Sequence, residues 1–302
     1  MSIQTTQASS LNYYVGFLSV LFAAFLWGTA GTAASFAREL NPIIIGLISI
    51  GVGGLIHTLM SLNAIKKDYK KLLQYNSKVL TGVVVSIACP VAFYSSVATV
   101  GVSIGTVVSI GFAPLFTVML EWLFDKRPLS LSWFISFLLG FTGVVLLSFG
   151  GNLHHENQVI HADRLIGVLY GLISGLSYAT YSWTIKSLIN KEINSRAAMG
   201  TIFGICSLIV IPILFFTATN LFRFHENIFV GIYIAFVPMF LGYLFFSFGL
   251  RRIPASQAMT LALFELPVAT LLAVILIGES LTFSNYLGLL SIFLCIIVLT
   301  KK

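Results

Sequence analysis

The sequence predicts an all-α integral membrane protein whose ten transmembrane helices form two inverted five-helix repeats. Three observations lead there. Of the 302 residues, 58% are hydrophobic and only 9% charged, against about 45–50% and about 25% in soluble domains, and the mean hydropathy is +0.98. The apolar residues arrive in long blocks rather than in the alternation over about 10 residues that marks a membrane β-barrel. The basic residues gather at alternate ends of those blocks, as the positive-inside rule requires of a multi-pass helical protein. Ten spans of about 20 residues occupy about 200 positions and leave about 100 for loops and termini, so no soluble domain fits.

Cutting at polar turns places the spans near 15–37, 42–62, 79–98, 104–124, 131–149, 165–188, 197–217, 228–249, 254–277 and 283–300. Residues 1–14 carry no Lys or Arg and no cleavage-site pattern, which predicts an N-terminal tail rather than a removable signal peptide. An even count puts both termini on one side. Fourteen of the 17 basic residues then share that side: Lys66, Lys67, Lys70, Lys71, Lys78, Lys126, Arg127, Lys186, Lys191, Arg196, Arg251, Arg252, Lys301 and Lys302. Arg38, Arg164 and Arg223 fall opposite. The asymmetry predicts cytoplasmic termini, and it explains the net charge of +7 without nucleic acid. Cys89, Cys206 and Cys295 each lie within an apolar block, which disfavours disulfides and metal sites; no cofactor is expected.

The repeat is weak but in phase. The fourth span aligns with the ninth, setting Pro114 opposite Pro267, Ser103 opposite Ser256 and Lys126 opposite Glu279; Pro90 of the third span pairs with Pro238 of the eighth. Five spans per half is odd, so the second half must be inverted. The expected organisation is a cytoplasmic tail (1–14), a first five-helix repeat (15–149), an external loop (150–164) and a second five-helix repeat (165–300).

Glu265 lies near the middle of the ninth span, where an acidic side chain costs about 2.5–3.5 kcal/mol on the insertion scale. It is the leading candidate for a substrate or proton site in an aqueous cavity between the repeats; a protonated, helix-bonded carboxyl is the alternative. Pro267, two residues on, removes the bond to the Leu263 carbonyl and loosens the helix there. Pro114 is its counterpart in the fourth span, a second expected kink. Glu121 is expected to pair at the interface with neighbouring cations near Asp125, Lys126 and Arg127, and Glu279 to sit at the far interface. His57 lies within two turns of the surface. His154, His155 and His161 fall in the long outer loop, where solvation is the simpler reading than metal binding.

Tyr13, Tyr14, Trp122 and Trp133 read as an interfacial aromatic belt. Trp27, Tyr94, Tyr178, Tyr181 and Tyr243 lie deeper, and Tyr178, Tyr181 and Ser174 share one helical face. These five are candidate cavity residues for an amphipathic or cationic metabolite, through stacking and cation–π contact; ordinary helix packing explains them equally well. Gly167, Gly171 and Gly175, with Gly101, Gly105 and Ser109, form small-residue stripes for close helix approach.

First-span LWGTAGTAASFA, fourth-span GTVVSIGFAPLFTVMLEWLF and ninth-span TLALFELPVATLLAVILIGESLT together resemble the drug/metabolite transporter superfamily, EamA type, over about residues 15–300. The resemblance implies a carrier of the bacterial inner membrane, with a cavity lined from the first, third, fourth, sixth, eighth and ninth helices. Many relatives export amino acids or other small metabolites, and some import them. Three positions depart from the family pattern: Leu266 separates Glu265 from Pro267, Ser49 stands where many relatives have an arginine, and Lys126 replaces a glutamate that often closes the fourth-helix motif.

The expected function is secondary transport of a small metabolite, such as an amino acid or amine, by alternating access, with export as the direction and proton coupling at Glu265 as an option. No GxxxxGK[ST] motif for ATP use occurs. An enzyme is not expected, since paired aspartates, a deep Ser–His pair and HExxH are all missing. A channel-like facilitator or a membrane sensor is the alternative. The expected partners are a small-molecule substrate, the lipid bilayer and protons, with a monomer or homodimer as the assembly.

Overall fold

The computed structural model describes residues 2–37, 39–128, 130–149, 161–218, 220–278 and 280–300. It contains ten helices long and apolar enough to cross a membrane: α1 (Leu11–Ser35), α2 (Pro42–Gln74), α3 (Asn76–Gly101), α4 (Ile104–Asp125), α5 (Leu131–Ser148), α6 (Arg164–Asn190), α7 (Ser195–Thr217), α8 (His225–Leu250), α9 (Ala255–Ile277) and α10 (Phe283–Thr300). Among the described residues there is no strand. The all-helical class and the count of ten agree with the sequence reading. Arg38, His154, His155, Glu279, Lys301, Lys302 and most of the outer loop lie outside the described residues, as does the side chain of His161.

Two boundaries differ from those cut by hydropathy. The α1 backbone is helical from Ser2, and α2 runs past residue 62 to Gln74. At about 1.5 Å per residue, the 33 residues of α2 span about 50 Å against a hydrocarbon core of about 30 Å. Its tail, SLNAIKKDYKKLLQ, is built from good helix formers, so the helix continues into water after its apolar content ends.

Local irregularities arise from the sequence. Gly101 has φ 85 and ψ 164, a conformation open to glycine, and it turns the chain from α3 into α4. Pro90 and Pro238 lie inside α3 and α8, and each removes one backbone donor. Wider π-helical turns occupy Ser49–Gly53, Val107–Gly111, Ala235–Gly242 and Ala273–Ile277.

Helices meet where a side chain is missing. A Cβ on Gly167 would stand 2.4 Å from Val100 and one on Gly171 2.9 Å from Val108, seating α6 on α3 and α4. Gly249 approaches Val20 in the same manner at 2.4 Å, seating α8 on α1. Gly200 and Gly204 bring α7 onto α2, and Gly143 and Gly288 join α5 to α10. Advancing every helix by five converts the α3–α6 pair into α8–α1 and α4–α6 into α9–α1, and returns α2–α7 and α5–α10 to themselves; all these contacts occur. Phe203, Phe246, Ile185, Met199 and Leu261 form the fully buried centre, while Leu208, Phe215 and Phe216 are exposed on the apolar exterior.

The aromatic belt divides. Tyr14 and Trp122 are exposed, but Tyr13 and Trp133 are buried: the Tyr13 hydroxyl donates to the Leu299 carbonyl at 3.3 Å, and Trp133 stacks on Phe137 at 5.4 Å. Helix–helix packing near the bundle ends claims these two rings before lipid headgroups can.

Candidate functional site

The site starts from a broken helix. In α9 the regular turns stop at Ala262 and resume at Glu265. Across the break the backbone closes tighter rings, Leu263 N–H to Thr260 O at 3.3 Å, Phe264 N–H to Leu261 O at 3.0 Å and Leu266 N–H to Leu263 O at 3.2 Å. Pro267 has no N–H to offer the Leu263 carbonyl, and Leu266 takes that acceptor instead. α4 breaks in the matching half, with a π-helical turn to Gly111, a bend at Phe112 and Pro114 in the first turn of the α-helical segment Ala113–Asp125. There a proline forfeits no helix bond.

Glu265 begins the second half of α9, and its side chain lines a cavity of about 320 Å³. No described residue donates a hydrogen bond or an ion pair to its carboxyl. A Cβ on Gly28 would lie 2.6 Å from both the Glu265 carbonyl and the Val268 Cβ, so α1 crosses α9 in backbone contact at this level. Trp27, the adjacent residue, reaches α8: its indole Nε1–H donates to the Pro238 carbonyl at 3.0 Å, in one of the π-helical turns.

The cavity brings together Glu265, Trp27, Tyr94, Tyr178, Tyr181 and Tyr243. Trp27 meets Tyr178 edge-on at 6.2 Å and Tyr243 at 5.0 Å, and Tyr181 meets Tyr243 at 5.7 Å. Ser49, Ser86, Cys89, Phe93, Ser109 and Phe203 complete the polar and aromatic wall. Hydropathy alone does not single most of these out; the available signal is isolated serines within apolar spans, where a hydroxyl needs a partner. Ser109, a member of a small-residue stripe, both packs and lines the cavity: a Cβ on Gly175 would stand 2.6 Å from its carbonyl. α2 and α7 also contribute lining residues, beyond the six helices that the family resemblance implied.

One end of the cavity is lined by Ala34 and Gly46, close to the α1–α2 turn, away from the chain termini. Toward the termini it is floored by Tyr181, Phe203 and Tyr243, with His57 packed behind on Phe203 and Phe240 at 5.4 and 5.0 Å. His57 is buried and engages the Met239 carbonyl through Nε2 at 3.2 Å, which makes it a bridge between α2 and α8.

Below that floor lies a polar layer. Glu121 is 2% exposed; its Oε1 accepts from the Ala255 N–H at 2.9 Å and its Oε2 from the Ser256 hydroxyl at 2.5 Å. The expected pairing with neighbouring cations is replaced by a cap on the N-terminus of α9, where Pro254 offers no side-chain acceptor. Lys186 Nζ donates to the Leu250 carbonyl at 2.5 Å, capping the end of α8, and Lys78 donates to the Ser187 hydroxyl. On the exposed surface of that side, Trp183 donates to Asp125 at 3.1 Å and Lys71 pairs with Glu192 at 3.4 Å. At the opposite end, Arg223 pairs with Glu39 at 2.9 Å.

Comparison with known proteins agrees with this architecture. The EamA-like transporter family model matches the chain twice, over residues 14–149 and 165–301. The uncharacterized transporter YwfM of Bacillus subtilis (strain 168) is 31% identical over 285 residues, covering 94% of this chain and 93% of its own. An uncharacterized transporter of Archaeoglobus fulgidus is 25% identical over 279 residues, 91% of this chain and 95% of that one. A solved crystal structure superposes with a TM-score of 0.77 over 96% of both chains at 14% identity, a likeness of fold alone. With ten membrane helices and two family matches spanning nearly its whole length, the chain belongs to the EamA-like transporter family of the drug/metabolite transporter superfamily.

Proposed function

We propose that the protein is a secondary carrier that exports a small metabolite across the bacterial inner membrane, with both termini in the cytoplasm, by rocking two inverted halves around the cavity at Glu265. The observation that carries this reading is the Glu265 carboxyl, without a hydrogen-bond or ion-pair partner among the described residues, in a cavity walled by helices of both halves. An intramembrane acid without a protein partner is costly, and a solute or proton that comes and goes supplies the missing partner. The polar layer of Glu121, Lys186 and Lys78 lies between the cavity floor and the side of the termini, which supports reading this arrangement as one closed toward the cytoplasm under this orientation. Alternating access requires that layer to open on reversal, while the Arg223–Glu39 pair already joins the opposite end here. Proton coupling results if the carboxyl holds a proton on the return step, so that entering protons drive the solute out.

Reconstituted vesicles loaded with panels of amino acids, amines and nucleobases test the reading. A carrier gives saturable counterflow for at least one solute, and E265Q abolishes its pH-driven component. Flux that never saturates identifies a pore, and pH-driven flux unchanged in E265Q removes the carboxyl from the mechanism.

A further inference from the structure

The charge and shape of the cavity restrict what it accepts, and this restriction rests on the carrier reading. Among the described lining residues Glu265 is charged and no Lys, Arg or His appears. The nearby cations are engaged elsewhere: Lys186 on the Leu250 carbonyl, Lys78 on Ser187 and Arg223 on Glu39. His57 sits behind the aromatic floor on the Met239 carbonyl. A bound carboxylate would be stripped of water with no cation among the described lining residues to meet it and with an acid beside it, a costly arrangement for a buried charge.

An ammonium group meets the opposite conditions. Tyr178, Tyr243 and Cys89 line the same cavity as Glu265. Trp27 lines it too and packs on Tyr178 and Tyr243, with ring centroids 6.2 and 5.0 Å away, an aromatic wall suited to an organic cation through ring faces and edges. Three buried hydroxyls of the wall, Ser86, Ser109 and Tyr181, at 8%, 2% and 3% exposure, have no hydrogen-bond partner among the described residues. Neutral hydroxyls such as these bring no formal charge to the wall. One carboxyl balances one positive charge, so a second ammonium would be left uncompensated.

We propose that the transported solute is an organic monocation without a carboxylate, its ammonium paired with Glu265 and its apolar or aromatic body held by Trp27, Tyr178 and Tyr243. A matched series tests this on the full-length purified protein: phenethylamine, phenylalanine (the same molecule plus a carboxylate), 2-phenylethanol (the ammonium replaced by hydroxyl) and 1,4-diaminobutane. Calorimetric titration in detergent and counterflow in proteoliposomes are the readouts. Phenethylamine is expected to bind at least tenfold more tightly than each of the other three and to give saturable counterflow. E265Q should weaken it at least tenfold, with E265D retaining part of the affinity; the ligand series on the unmodified protein decides the matter should E265Q fail to fold. Equal or tighter binding of phenylalanine, equal binding of 2-phenylethanol, or no binding by phenethylamine overturns the assignment. Saturable counterflow confined to carboxylate-bearing solutes refutes this class and leaves the carrier standing, whereas flux that saturates for no solute refutes the carrier reading itself.

Discussion

Glu121 gives the sharpest test of how the two halves are joined. It sits on α4, its carboxyl accepts from the Ala255 N–H and the Ser256 hydroxyl of α9 at 2.9 and 2.5 Å, and it is almost fully buried. Glu121→Ala deletes the acceptor for two donors that have no route to bulk water. A hydrogen bond to a charged group contributes about 1.5–3 kcal/mol, a buried orphan costs about 1–3 kcal/mol, and loss of an N-cap costs about 1 kcal/mol. These overlap rather than add, and the expected loss is about 3 kcal/mol. Glu121→Gln keeps one acceptor oxygen and the shape, so its loss should be about 1–2 kcal/mol. Glu121→Ala combined with Ser256→Ala removes one of the orphans and should recover about 1 kcal/mol relative to Glu121→Ala alone, a coupling that a double-mutant cycle isolates. Denaturant titration in detergent micelles, monitored by tryptophan fluorescence, reads all five proteins, the Ser256→Ala single variant included. A Glu121→Ala midpoint within about 0.5 kcal/mol of the unmodified protein, the range of an ordinary surface change, would refute the reasoning, because the α9 terminus would then be satisfied without the carboxyl.

Three other substitutions probe the same geometry. Gly28→Ala places a methyl 2.6 Å from the Glu265 carbonyl and the Val268 Cβ; α9 must shift, with a stability loss of about 1–3 kcal/mol and a loss of flux in vesicles. Trp27→Phe keeps an aromatic wall but orphans the Pro238 carbonyl that Nε1–H serves at 3.0 Å; unfolding should show a cost of about 1 kcal/mol, and the half-saturation concentration for transport should rise. Arg223→Ala breaks an ion pair whose side chains are 62% and 57% exposed, so denaturant unfolding should shift by less than about 1 kcal/mol.

The bundle was legible because hydrocarbon is a demanding solvent. Each span must satisfy its own backbone, so long apolar runs specify helices with little tertiary help, and the count of ten is a direct consequence. Glu265, Trp27, Tyr94, Tyr178, Tyr181 and Tyr243 could be singled out for the same reason: a polar atom deep in an apolar run needs an explanation that the run does not contain. What the sequence hid depended on partners distant along the chain. Glu121 looks like an interfacial acid because Asp125, Lys126 and Arg127 come soon after it, but its partners are 134 and 135 residues away. Nothing local marks the N-terminus of α9 as short of an acceptor except Pro254 in the capping position. Trp133 and Tyr13 carry the belt signature of their residue type, and only the packing of neighbouring helices buries them. The extension of α2 to Gln74 escaped a hydropathy cut because helix propensity persists after apolar content ends.

The duplicated architecture also explains why the cavity carries its charge on one side. Gly28 of α1 meets the Glu265 carbonyl of α9, and Gly175 of α6 meets the Ser109 carbonyl of α4, with a Cβ at 2.6 Å in each case. Advancing by five helices turns one crossing into the other, so both seams obey the same steric requirement for a missing side chain. That requirement acts on the glycine and on the backbone it touches, and leaves free the side chain borne by the touched residue. At one seam that side chain is the carboxyl of a residue lining the cavity; at the other it is a buried hydroxyl without a partner among the described residues. Packing therefore holds the halves in register while the chemistry of each seam varies independently. A substitution at position 265 that preserves the backbone contact should change what the cavity accepts far more than it changes how the helices assemble.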